Sequence, residues 1–94
     1  MKRTSAAVAV GAILLSGGCA MPPEGVSAED VAEYKAAVAS IGCEMVSESD
    51  YLPVELQAGL TRQQAKDITA YLLASGEAER LENGGAKLTT GACA

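Results

Sequence analysis

"TRQQAKDITAYLLASGEAERLENGGAKLTT", residues 61–90, decides the fold. Its first half has the features of a complete helix. Thr61 and Gln64 stand at capping-box spacing, where each side chain satisfies a backbone N–H of the first turn. Leu60 and Ala65 occupy the hydrophobic-staple positions around that cap. Ile68, Leu72 and Leu73 form the buried face, and Gly76 stops the helix by accepting a left-handed backbone. The second half reads as a hairpin, because Asn83-Gly84 between two short runs is a two-residue turn signal. That turn places Leu81 opposite Ala86, with Leu88 on the same apolar face and Arg80 and Lys87 on the other.

Working back toward the N-terminus, "SAEDVAEYKAAVASIG" (27–42) predicts another helix. Ser27 is its N-cap, with Asp30 three residues on, and Gly42 ends it. Val31, Tyr34, Val38 and Ile41 recur at helical spacing as one apolar stripe. Glu29, Asp30 and Glu33 place negative charge at the positive end of the helix dipole. Between the two helices, "CEMVSESDYLP" (43–53) reads as a short, polar, extended segment. Its carboxylates Glu44, Glu48 and Asp50 lack the spacing and central glycine of an EF-hand loop. "PVELQAG" (53–59) then reads as a short helix with Pro53 in its first turn and Gly59 closing it.

The run from Tyr51 to Thr90 resembles a winged helix: short helix, turn, second helix, glycine, strand, Gly-rich wing tip and strand. Leu56, Leu60, Ile68, Leu72, Leu81 and Leu88 match the core positions of that family. The fold class expected is therefore α+β, a three-helix winged-helix-like domain with a C-terminal β-hairpin. The resemblance implies that Tyr51-Leu52 pairs antiparallel with the last wing strand. It also implies DNA contacts from Arg62, Gln63, Lys66 and Thr69 on the exposed side of the 61–75 helix.

The other end of the chain speaks to location. Lys2 and Arg3, the uncharged apolar run Ala6–Leu15, and the small residues Ser16–Ala20 are the three parts of a secretory leader. The apolar run is about ten residues, against the roughly 20 that a spanning helix needs. Residues 1–20 are read as a signal peptide cleaved before Cys19 or Met21, residues 21–26 as a linker, and residues 27–94 as the domain. Gly18-Cys19-Ala20 suits ordinary cleavage. The same stretch resembles a bacterial lipobox, which makes Cys19 the lipidation site, although Ser16 stands where that pattern carries an aliphatic residue. In an oxidising compartment the two remaining cysteines, Cys43 and Cys93, are read as one disulfide. Closing a loop of roughly 50 residues stabilises a fold by about 4 kcal/mol in the chain-entropy model.

Without the leader, five basic residues face twelve acidic ones, a net charge of −7. Such a surface repels nucleic acid, so no nucleic-acid partner is expected while the leader directs export. The chain has no His, Trp or Phe. The commonest general base and metal ligand is therefore absent. No cysteine set has zinc spacing and no C-x-x-C pair is present. The expectation is a non-enzymatic envelope protein with no catalytic, cofactor or metal residues. It would be tethered to a membrane by lipid, or soluble in the periplasm if Cys19 is removed, and would bind another envelope protein. An accessory subunit of a larger envelope or respiratory complex is the alternative, and a DNA-binding winged helix the remote one.

Overall fold

A computed structural model describes residues 22–94. The signal peptide, the cleavage positions and Cys19 lie outside the described residues. Three helices pack on a small antiparallel sheet, an α+β arrangement. Helix α1 spans Ala28–Ser40, strand β1 Glu44–Met45, helix α2 Glu48–Ala58 and helix α3 Arg62–Ser75. Strands β2 (Ala78–Arg80) and β3 (Ala86–Leu88) form the wing, and a 3-10 turn, Gly91–Cys93, follows.

The caps are where local chemistry puts them. Ser27 Oγ accepts from the Asp30 N–H at 3.0 Å and Asp30 Oδ2 accepts from the Ser27 N–H at 3.0 Å. Thr61 and Gln64 make the same reciprocal pair at 3.0 and 2.9 Å. At the far end of α1, Gly42 is left-handed and the Cys43 N–H donates to the Val38 carbonyl at 2.9 Å, a Schellman closure. Gly76 ends α3 in the same way, with the Glu77 N–H on the Leu72 carbonyl. Val26 precedes the Ser27 cap and is buried like Val31, so the stretch read as a linker enters the core at its last residue.

The core forms where the three helices meet the inner face of the sheet. Val31, Tyr34, Ala37 and Val38 from α1, Val54 and Ala58 from α2, and Ala65, Ile68 and Leu72 from α3 are buried together. Met45, Ala78 and Leu88 join them from the strands. Ile41 and Leu73 are half-buried against this cluster.

Three sequence expectations are corrected. First, α2 begins at Glu48, five residues before Pro53. The Asp50 carboxylate accepts from the Val46 and Ser47 N–H groups at 2.8 and 3.1 Å, which anchors an N-terminus at Ser47. Pro53 lies inside the helix and costs it one bond, to the carbonyl of the exposed Ser49. Tyr51 and Leu52 are therefore helical, and the strand that pairs with the last wing strand is Glu44–Met45. Second, the phase of α2 directs Tyr51, Val54 and Ala58 inward. Leu56, expected in the core, is 84 % exposed and Leu52 49 %. Third, the hairpin register differs by one residue. The Leu81 N–H bonds the Gly85 carbonyl at 2.8 Å and Gly84 is left-handed, making a three-residue loop. Arg80, not Leu81, therefore faces Ala86, and Leu81 is half-buried at the wing tip.

The sheet order is β1-β3-β2. Glu44 and Met45 pair with Lys87 and Ala86, while Ala78, Glu79 and Arg80 pair with Leu88, Lys87 and Ala86. The central strand is β3, flanked by β1 and β2. Cys43 leads into β1 and Cys93 follows β3, so antiparallel pairing brings them together. Their Cα atoms are 5.7 Å apart and their sulfurs are at bonding distance, 2.15 Å.

Candidate functional site

A groove of about 260 Å³ lies between α3 and the sheet. Its wall on α3 is Lys66, Thr69, Ala70 and Leu73, one helical face at i, i+3, i+4 and i+7 spacing. Met45 and Val46 at the end of β1, and Gly84, Gly85 and Ala86 in the wing, form the opposite side. Tyr51 of α2 and Arg80 of β2 complete it.

Gly85 sets how closely the two sides approach. A Cβ there would stand 2.6 Å from the Met45 carbonyl oxygen and 2.9 Å from the Val46 Cα. Both are backbone atoms, at the end of β1 and one residue beyond it, so no rotamer change relieves the contact. The missing side chain lets the wing lie against the end of β1.

Thr69 links the groove to the core. Its hydroxyl donates to the Ala65 carbonyl at 2.9 Å, which uses its single hydrogen. It therefore accepts from the Tyr34 hydroxyl at 2.5 Å, with Tyr51 donating at the longer distance of 3.4 Å. Burial pushes the Tyr34 phenol up to about 12, against the opposing effect of the Thr69 bond.

The charged groups divide by partner. The Lys35 ammonium bonds the Glu77 carboxylate at 2.5 Å, which holds the Glu77 carboxyl below its usual range. Arg62 pairs closely with Glu55, lies 3.7 Å from Glu48 and stacks over the Tyr51 ring at 5.3 Å. Lys87 faces Glu44 and Glu79 across the strands. Lys66, Arg80 and Lys87 are all exposed and make no ion pair among the described residues.

The set implied by the winged-helix resemblance is thus divided. Lys66 and Thr69 line the groove. Arg62 is committed to two carboxylates, and Gln63 donates to Asp67 at 2.9 Å. Tyr51 and Arg80 were missed as groove residues, Tyr51 because it was read as strand and Arg80 because of the register difference. The S-x-x-D spacing of Ser47 and Asp50 was the signal that would have placed Tyr51 on a helix.

Among the described residues, no three Cys, Asp or Glu side chains converge to hold a metal ion. Among them, too, no helix is long and apolar enough to cross a membrane. The chain matches no family model, no curated protein and no solved structure.

Proposed function

We propose that this chain is a non-enzymatic envelope protein, a small disulfide-stapled domain that is tethered by lipid on Cys19 and binds another envelope protein. The leader-like residues 1–20 and the Cys43–Cys93 bridge both support an oxidising compartment. The observation that carries protein binding is the ridge on α2. Leu52 and Leu56 lie one helical turn apart and are 49 % and 84 % exposed, with Val46 at 40 %. Adjacent exposed aliphatic side chains on a small domain support a surface that a partner covers.

The test is made in the host. A photo-crosslinking residue at Leu56 is expected to yield one dominant protein adduct in the membrane fraction. The intact mass should fit an acylated chain beginning at Cys19, and Cys19→Ser should move the folded domain to the soluble fraction. A mature mass matching an unmodified chain from Met21 overturns the anchor. Recovery of the whole chain with Met1 from the cytoplasm overturns export, and an absence of any discrete adduct overturns the binding reading.

A further inference from the structure

We infer that the groove between α3 and the sheet receives an acidic segment of the partner protein, a carboxylate side chain flanked by aliphatic ones. This rests on the protein-binding reading above and names the chemistry of the partner. Within the described residues, twelve carboxylate side chains outnumber five cations, and two of those cations are ion-paired in place. Lys35 is bonded to Glu77 and Arg62 to Glu55, while Lys87 makes no ion pair but sits on β3 between Glu44 and Glu79 of the flanking strands. Of the three without an ion pair, Lys66 and Arg80 come from different elements and line the same groove. With acids so abundant, two cations without ion pairs in one concavity leave an electrostatic vacancy for a carboxylate from outside.

The rest of the groove agrees in size and polarity. Leu73 offers apolar surface over the buried Met45 and Ala86, and the Tyr51 hydroxyl adds a polar group. The volume of about 260 Å³ lies below the roughly 300–1,000 Å³ of a small-molecule site, which suits side chains of a peptide. Nucleic acid fits less well. Its affinity grows with the number of phosphates neutralised. Here only two cations line the groove, enough for one carboxylate but few for a phosphate backbone.

The experiment is fluorescence anisotropy on the oxidised protein as purified from its host. The probes are labelled heptapeptide pools with leucine and valine around a central glutamate, or around a central glutamine. The glutamate pool is expected to bind about tenfold more tightly, the scale of a charge-assisted contact. Lys66→Ala and Arg80→Ala should each remove most of that preference while leaving the circular dichroism unchanged, since both side chains are exposed. Equal binding of the two pools overturns the inference, as does tighter binding of a duplex oligonucleotide than of the glutamate pool. The photo-adduct at Leu56 separates the two readings. An adduct that forms undiminished in a Lys66→Glu, Arg80→Glu double variant retains the binding module and removes the groove from it. A failure to form in the unaltered protein removes the module itself.

Discussion

Gly85 and Tyr34 show how much single residues decide here. Gly85 is required by proximity, since a Cβ would meet the backbone of Met45 and Val46. Gly85→Ala must push the wing away from β1 and is expected to cost about 1–3 kcal/mol, the range for overpacking. Urea melts of the two proteins read this directly, and a loss under about 0.5 kcal/mol, the usual effect of a neutral surface change, would show that the wing moves freely. Tyr34 is buried with its hydroxyl on Thr69, and its pKa is raised from 10.0 to about 12. Between those values the folded chain keeps a proton that the unfolded chain has lost. Its contribution is therefore complete below pH 10 and declines as pH rises toward 12. The decline is about 1.4 kcal/mol per pH unit in that window. Absorbance at 295 nm should show one tyrosine ionising late, and Tyr34→Phe should abolish both the late step and the alkaline slope.

At the scale of elements, α2 depends on its first turn. Asp50 accepts two backbone N–H groups from the segment that joins β1 to the helix, and these bonds lower its pKa from 3.8. Asp50→Ala leaves both donors to water and is expected to cost about 0.5–2 kcal/mol, as cap losses do. The lowered pKa means that the unfolded state binds more protons as pH falls below 3.8, so this stabilisation is present above that pH and lost beneath it. Glu77, lowered from 4.5 chiefly by the Lys35 bond, acts in the same direction. Thermal melts from pH 6 down to pH 2 should fall less steeply for Asp50→Asn than for the unaltered protein. Parallel curves would mean that the cap is not formed in solution.

For the molecule as a whole, the bridge between Cys43 and Cys93 is the dominant constraint. It joins the end of α1 to the C-terminal 3-10 turn across 50 positions, which corresponds to about 4 kcal/mol of unfolded-chain entropy. Cys43 is also the one non-glycine residue with positive φ among those described, at 71°. That conformation is held by its N–H on Val38, its carbonyl under the Leu88 N–H, and the bridge. Reduction is therefore expected to lower the denaturation midpoint sharply and to raise amide exchange first in residues 90–94. Exchange that stays uniform after reduction, with an unchanged midpoint, would show that the core alone sustains the fold.

The class of the fold, the starts of α1 and α3, the glycine stops of all three helices and the pairing of Cys43 with Cys93 can be read from residue types and spacing alone. Each helix boundary depends on atoms within a few residues, such as Ser27 with Asp30 or Thr61 with Gln64, so local spacing carries the information. The buried face of α3 was legible for the same reason in Ile68 and Leu72, whereas Leu73, expected beside them, is half-buried and lines the groove. Which segment became β1 was set by long-range pairing, because two residues form a strand only through bonds to a partner distant in sequence. The tertiary structure also decided the wing register, where Asn83-Gly84 suits both a two-residue and a three-residue loop. The groove followed from those two outcomes. Lys66, Tyr51 and Arg80 belong to three elements, and packing, which no local pattern encodes, brings them to one surface.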